Sequence, residues 1–340
     1  MIHELKEIIE QAKINQDQNI KNVLVTVVDL EGSSYRKPGV RMLIAEDGKM
    51  TGAVSGGCVE KEIIHRSASV FQKEEAKIMT YDGRYRLGCE GILYILIEPF
   101  YISEELYRCF SNAILERTTV KTATYYCKED DARGNFGSSI HFQNSESYNF
   151  SKHFNAGDSN LTHSFQQSLK PAFQLQIIGA EHDAVKLCQM ASLLGWQVDV
   201  ITSIKDPKTK ADFPGANTVI GSDPENIDFS SVNTNTGIVL MNHSYVQDLK
   251  YLLKLADHSP AYLGILGAAK RRDNLFSEIF EYNPEISEAF LDGICTPAGL
   301  NIGAQTPEEI ALSILAEIMA IVHNKKPNSL KNITGKLHQK

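Results

Sequence analysis

No apolar run in this 340-residue chain approaches the roughly 20 residues of a membrane-spanning helix, so a transmembrane protein is not expected. The N-terminus, MIHELKEIIEQAK, carries acids in an amphipathic pattern and lacks the charged start and apolar block of a signal peptide. The six cysteines, at positions 58, 89, 109, 127, 188 and 295, form no CxxC pair. That spacing excludes a disulfide framework or a zinc site and reads as reduced cytosolic thiols. There is no P-loop and no internal repeat. A net charge of -8 opposes binding to nucleic acid or to an anionic membrane surface. The expected place of the protein is the cytoplasm.

What is present suffices for two domains, each with its own core. We expect an α/β protein: an N-terminal mixed α/β domain over residues 1–150, a linker over 151–171, a C-terminal Rossmann-like domain over 172–325, and a basic tail over 326–340. The last stretch, HNKKPNSLKNITGKLHQK, holds five lysines and no acid and reads as a solvated terminus. In the first half a helix should bury Leu5, Ile8, Ile9 and Ala12. The valine-rich run NVLVTVVDL reads as a buried strand. VRMLIA and KMTGAVS read as strands of a hairpin turning at Glu46-Asp47-Gly48. A helix over about 59–71, strands AKIMTY and ILYILIEP, a helix over 104–116 and a closing strand VKTATYYC complete that half. In the second half short apolar strands alternate with helices, the pattern of a doubly wound parallel sheet. Its last helix opens at Thr306-Pro307-Glu308-Glu309, a capping box, and should bury Ile310, Ile314, Leu315, Ile318 and Met319.

The first strand-to-helix turn of the second half reads Gly179-Ala180-Glu181-His182-Asp183-Ala184. A dinucleotide fingerprint needs a glycine where Glu181 stands, so that the backbone can approach a pyrophosphate; a carboxylate adds bulk and the wrong charge. The ribose-binding acid at the end of the next strand is missing, since VDVIT runs into Ser203, and Asp199 lies inside the strand. The fold signal is therefore separate from any NAD signal, and NAD is not among the expected cofactors. His182 is open to a ligand, capping or solvated role.

Three glycine-bearing loops follow strands in the first half. Gly32-Ser33-Ser34-Tyr35-Arg36-Lys37-Pro38-Gly39-Val40-Arg41 offers backbone N–H groups, hydroxyls and three cations, the chemistry of an anion cradle. Ser55-Gly56-Gly57-Cys58-Val59-Glu60 joins a strand to a helix, placing Cys58 where the helix N-terminus favours a thiolate. Leu87-Gly88-Cys89-Glu90-Gly91 puts a second cysteine between glycines. A thiolate in either loop can ligate a metal or carry a transferable sulfur.

These motifs, GSSYRKPGVRM, AVSGGCVE and LGCEG, followed by a Rossmann-like half ending in AGLNIGAQTPEEIALSILAEIMA, resemble the XdhC/CoxI family, the xanthine dehydrogenase accessory factors. The likeness runs from about residue 20 to 323. It implies a factor that binds molybdenum cofactor, protects it during exchange of an oxo for a sulfido ligand, and delivers it to a molybdenum hydroxylase apoenzyme. A cysteine desulfurase is the implied sulfur donor. On this reading Gly32, Ser33, Ser34, Arg36, Lys37, Arg41, Ser55, Gly56, Gly57 and Gly88 line the cofactor pocket, with Arg36, Lys37 and Arg41 meeting the pterin phosphate. Cys58 and Cys89 are the metal-proximal or sulfur-relaying residues. In the C-terminal half, Gly179, His182, Gly299 and Gly303 are the expected lining. Departures from the family fall at Glu181, at Thr202-Ser203, at Asn242-His243-Ser244 and at Glu90. Cys295 has no family counterpart and reads as incidental.

Such a protein is a maturation factor rather than a stand-alone catalyst. The alternatives are an NAD(P)-dependent oxidoreductase using the C-terminal half, a nucleotidyltransferase acting on the pterin, and a redox-sensing scaffold. A homodimer is expected, with the ligand in the cleft between domains.

Overall fold

The structure, a computed structural model, describes residues 1–32, 37–55, 57, 59–85, 91–157 and 163–332. The chain forms two compact units, Met1–Ala172 and Phe173–Lys340.

In the first unit α1 (Ile2–Asp17) turns Leu5, Ile8, Ile9 and Ala12 inward at three- and four-residue spacing. β1 (Asn22–Glu31) follows, then the hairpin of β2 (Arg41–Ala45) and β3 (Met50–Gly52), where Gly48 takes the positive φ that its turn requires. Next come α2 (Glu60–Lys73), β4 (Ala76–Asp82), β5 (Ile92–Phe100) and α3 (Glu104–Leu115), whose Ser103 hydroxyl accepts from the Leu106 N–H. β6 (Val120–Tyr126), β7 (Arg133–Gly134), β8 (Gly137–His141), β9 (Ser147–Asn149) and β10 (His163–Leu169) complete the unit. β1 to β5 and β7 make an antiparallel sheet in the order β3-β2-β1-β5-β4-β7. The continuous apolar run of β1 has a physical cause. Val23, Val25 and Val27 pack in the cluster that includes Ile63 and Val70 of α2, while Leu24 packs with α1 and α3, so both faces are covered.

Two expectations differ from the structure. VKTATYYC does not close the unit: it is the β6 strand of a second antiparallel sheet, ordered β10-β6-β8-β9. The stretch 151–171, read as a linker, supplies β10, which pairs with β6 along its whole length from His163↔Tyr126 to Leu169↔Val120. Its polar sequence is explained by its position at a sheet edge, where burial alternates and one face meets water.

The two sheets are joined by buried polar groups. Arg41 of β2 donates to the Gly39 carbonyl (3.1 Å), to Gln167 Oε1 of β10 (2.7 Å) and to Thr122 Oγ1 of β6 (2.9 Å). Glu98 of β5, with no exposed surface, accepts from the Ser138 N–H (2.8 Å) and hydroxyl (2.6 Å) on β8. Burial drives the Glu98 carboxyl up to about 7 from its ordinary 4.5, and the Ser138 bonds and the Arg41 charge offset only part of that. A carboxyl raised in the folded state binds its proton more tightly there than in the unfolded chain. Its contribution therefore falls as pH rises from about 4.5 through about 7, by roughly 2–3 kcal/mol. In urea unfolding at pH 5 and pH 8, Glu98→Gln should show a pH difference smaller than wild type by that amount. Equal slopes in the two proteins would refute the assignment.

The second unit has β11 (Gln174–Ile178), α4 (His182–Leu193), β12 (Gln197–Thr202), β13 (Thr218–Gly221), β14 (Thr236–Leu240), α5 (Tyr245–Leu255), β15 (Tyr262–Ile265), α6 (Ala269–Tyr282), α7 (Glu288–Asp292), β16 (Ile294–Cys295) and α8 (Pro307–Val322). All strand pairings are parallel, in the order β13-β12-β11-β14-β15-β16, a doubly wound sheet with a core on each face. The Thr306 capping box is present, with Pro307 in the first turn. The buried stripe of α8 is rotated from the expected one. Ala311, Ser313, Ile314, Leu315 and Ile318 are buried, Ile310 is half-buried and Met319 is exposed.

Candidate functional site

Strand direction brings the three glycine-bearing loops to one end of the first sheet. β2 runs antiparallel to β1 and β3 antiparallel to β2, while β5 runs antiparallel to both β1 and β4. β1, β3 and β4 therefore point the same way, and segments 32–40, 53–59 and 83–91 leave from their C-terminal ends. Ile92 pairs with Glu31 on one side and with Asp82 on the other, which sets the first and third loops beside each other. Met42 pairs with Gly52, placing the start of the second loop next to the return of the first. Ser33, Ser34, Arg36, Gly56, Cys58, Gly88 and Cys89 lie outside the described residues.

The described residues of these loops show how they are held. At the first loop, Gly32 and Lys37 are exposed. Gly39, with a φ of 97°, lies so close to Gln167 that a Cβ would approach its amide nitrogen to 2.5 Å. Arg41 departs from the expected phosphate-binding role. Its guanidinium is buried and engaged by Gly39, Gln167 and Thr122, so it fixes the end of the loop rather than facing a ligand. The strand end that launches the loop is clasped by Lys128, whose ammonium lies 2.8 Å from Asp29 and 3.0 Å from Glu31. The Tyr94 hydroxyl of β5 donates to the same Glu31 at 3.1 Å.

At the second loop the organising group is Glu60, the first residue of α2. Its carboxylate accepts from the Ser55 N–H (2.7 Å), the Ser55 hydroxyl (2.5 Å) and the Gly57 N–H (2.9 Å). Burial pushes this carboxyl up, but the hydrogen bonds from Ser55 and Gly57 outweigh it and hold it below its ordinary value. The Ser55 and Gly57 N–H groups are thus directed to a carboxylate of the chain itself, the Val59 N–H donates to the Ser55 hydroxyl (3.4 Å), and Glu60 and Glu62 both lie at the positive end of the helix dipole. Sequence reasoning placed Glu60 inside the motif without giving it a role; the signal was an acid at the first helical position with a serine five residues before it.

In the second unit Gly179 and His182 follow β11 at the carboxyl end of the parallel sheet, beside the switch point between β11 and β14, and Gly299 and Gly303 lie in the segment between β16 and α8. Gly179 has a φ of 148°, and a Cβ there would lie 2.6 Å from the Met241 carbonyl oxygen, so the glycine serves the approach of strand ends. Glu181 is the N-cap residue of α4 with no side-chain cap bond, and His182 is exposed at the helix start. Asp199 is not a ribose acid. It accepts from Gln174 (2.7 Å), Asn217 (2.9 Å) and Thr218 (2.5 Å), bracing the amino end of the sheet. Gly299 donates its N–H to Glu317 at 2.8 Å, and a Cβ would collide with the Ser313 hydroxyl, so its place is set by close packing on α8. Gly303 is exposed in open space. Burial and the Glu317 carboxylate push the Cys295 thiol up to about 12, which suits its reading as incidental.

Beside that switch point lies a network that the sequence did not reveal. Asp248 of α5 is fully buried and accepts from Asn242 Nδ2 (3.0 Å) and from Arg271 Nη2 of α6 (2.6 Å). Arg271 also donates to the Asn242 carbonyl at 3.2 Å. The three residues tie the end of β14 to α5 and α6.

Comparison with known proteins matches both units. The XdhC Rossmann domain model matches residues 175–318, and the XdhC and CoxI family model matches residues 16–82, which contain the first two glycine loops. The chain is 29% identical over 319 residues to a probable xanthine dehydrogenase subunit of Bacillus subtilis, covering 87% of this chain and 92% of that protein. It is 22% identical over 320 residues to the "Molybdenum cofactor insertion chaperone PaoD" of Escherichia coli, covering 91% and 86%. A crystal structure described as a xanthine dehydrogenase from Bacillus halodurans superposes with a TM-score of 0.75 at 25% identity, over 94% of this chain and 97% of the other. With its antiparallel N-terminal sheet, its Rossmann-like second unit and these matches to both, the chain belongs to the XdhC and CoxI family.

Proposed function

We propose that the protein is an accessory factor that binds molybdenum cofactor as cargo and supports its sulfuration and insertion into a xanthine dehydrogenase-type apoenzyme. A cysteine desulfurase is the sulfur donor in this reading. The observation that carries it is the convergence of the three glycine-bearing loops, two of them bearing Cys58 and Cys89, at one end of a single sheet. The relative named as an insertion chaperone supports the same class of activity. Exposed Lys37 is a cation available to the pterin phosphate, with Arg36 next to it in sequence, while Arg41 holds the loop in place. Arg41 and Glu60 anchor the flanks of the first two loops, and in this reading Cys58 and Cys89 contribute thiols to the metal or to the incoming sulfur.

The test is binding of isolated molybdenum cofactor to the purified protein and to Cys58→Ala, Cys89→Ala and the double variant, followed by activation of a molybdenum hydroxylase apoenzyme. Wild type should bind, and at least one single variant should bind about tenfold or more weakly, a loss of ~1.4 kcal/mol, without unfolding. A folded wild type that does not bind would sink the cargo reading. A double variant that binds and activates like wild type would remove the cysteines from it.

A further inference from the structure

Between Glu309 and His323 the sequence of α8, IALSILAEIMAIV, holds two polar side chains, and the fold spends both on the protein's own interior. The Ser313 hydroxyl donates to the Leu300 carbonyl (2.6 Å), and Glu317 accepts from the Tyr262 hydroxyl (2.7 Å) and the Gly299 N–H (2.8 Å). The outer face is left with Leu312, Ala316 and Met319, spaced four and three residues apart on one side of the helix. Leu312 is 50% exposed and Met319 41%. A helix that is apolar all round is normally covered all round. The neighbouring helix α4 widens the patch. Both helices run back along the sheet, α4 from the end of β11 and α8 with Glu317 reaching Tyr262 at the start of β15. Lys186 of α4 pairs with Glu308 at 2.9 Å, which sets their first turns level. Leu193, two turns on along the same side of α4, is 85% exposed.

The charges at the two ends of this stripe select its occupant. Glu308 and Glu309 stand exposed at its start, and Lys186 compensates one of them. His323, Lys325 and Lys326 stand exposed past its end, and residues 318–340 contain no acid. The stripe therefore runs from net negative to net positive, and a second copy laid against it in the opposite direction matches both ends. The side chains match as well. With the two-fold axis beside Ala316, one register sets Leu312 of each copy against Met319 of the other and Glu308 against His323. Alanine at the crossing lets the helices approach to about 8 Å. A parallel pairing would instead place like charges together at both ends. Two helices about 24 Å long and about 10 Å apart offer roughly 500 Å² per copy, so the pair buries on the order of 1,000 Å², the lower end of specific interfaces.

We propose that two copies of the chain associate through this face, α8 packing antiparallel on α8 of the second copy with Leu193 at the flank, which gives the expected homodimer its interface. The association does not depend on cofactor binding at the glycine loops.

Sedimentation equilibrium of the full chain tests this. Wild type should form a dimer with a dissociation constant of about 10 µM or below. Leu312→Lys and Met319→Glu should each weaken association about tenfold or more, because each buries a charge at an apolar crossing. Combining the two should recover most of the loss, since the antiparallel register sets position 312 of one copy against position 319 of the other. Leu115→Glu, at an exposed leucine of α3 in the first unit, should leave the dimer unchanged. All four variants change exposed side chains and should keep the circular dichroism of wild type. A wild type that stays monomeric at about 100 µM would overturn the proposal. So would a dimer that Met319→Glu leaves intact, or a double variant that associates no better than the single ones.

Discussion

Glu60→Ala is expected to weaken molybdenum cofactor binding by about tenfold or more while leaving both units folded. Three donors converge on that carboxylate, the Ser55 N–H, the Ser55 hydroxyl and the Gly57 N–H. Removing it frees the backbone on either side of Gly56 and leaves the segment next to Cys58 without its anchor. The expected stability loss is about 2 kcal/mol, the scale of hydrogen bonds to a charged group that water partly replaces. On the proposed function the binding loss arises because the carboxylate maintains the geometry of the loop that carries Cys58. The sign of the pH dependence follows. The Glu60 carboxyl is depressed in the folded protein, so its contribution is present above the ordinary carboxylate pKa and is lost as pH falls through the lower folded value. Loop anchoring is thus complete at neutral pH. Cofactor titration of the variant beside its melting curve checks the separation. Wild-type affinity in a folded Glu60→Ala protein would show that the loop needs no anchor, and a collapsed melting curve would show that Glu60 supports the core instead.

Asp248→Ala should destabilise the protein by about 3 kcal/mol, among the largest single effects in the second unit. The carboxylate has no exposed surface, and burial raises its pKa while Arg271 and Asn242 offset part of that rise. Its removal leaves the Arg271 guanidinium, 24% exposed, without its anion and the Asn242 amide without its acceptor. Much of the cost is the stranded charge rather than the lost contact. Asp248→Leu combined with Arg271→Met should therefore recover a good part of what Asp248→Leu alone loses. Equilibrium unfolding in urea measures all four corners of the cycle. Strictly additive losses would show that the two residues do not act as a pair.

The elements legible in the sequence share one feature, a local pattern strong enough to need no tertiary partner for its recognition. The β1 run, the Asp-Gly hairpin before β3, the Thr306 capping box and the alternation of short apolar strands with helices in the second unit all have their expected places. The second sheet of the first unit was largely illegible. β8, β9 and β10 are short and rich in serine, glutamine and histidine, and only their pairing with β6 and with one another makes them strands. The last strand, β16, is two residues long and is defined by its register with β15 alone. Such segments carry no periodicity because their stability comes from neighbours distant in sequence.

The same division runs through the candidate site. Glycines, cysteines and cations marked the three loops, since positive backbone dihedrals and soft ligands demand particular residue types wherever they occur. Family membership was also legible, because it resides in those motifs. Which charges face a ligand was not. Arg41 and Lys37 are both cations of one loop, yet β6 and β10 bury the first and leave the second exposed. Glu60, Glu98 and Asp248 are ordinary acids in the sequence, and each acquires its role only from donors that the fold brings to it. By itself, then, the sequence determined the element types, the two-unit α/β architecture and the loops where chemistry is expected, all of which depend on local preferences. Tertiary structure alone decided that those loops share one end of a sheet and which polar groups are spent on holding them, because these follow from strand order and burial that no local pattern encodes.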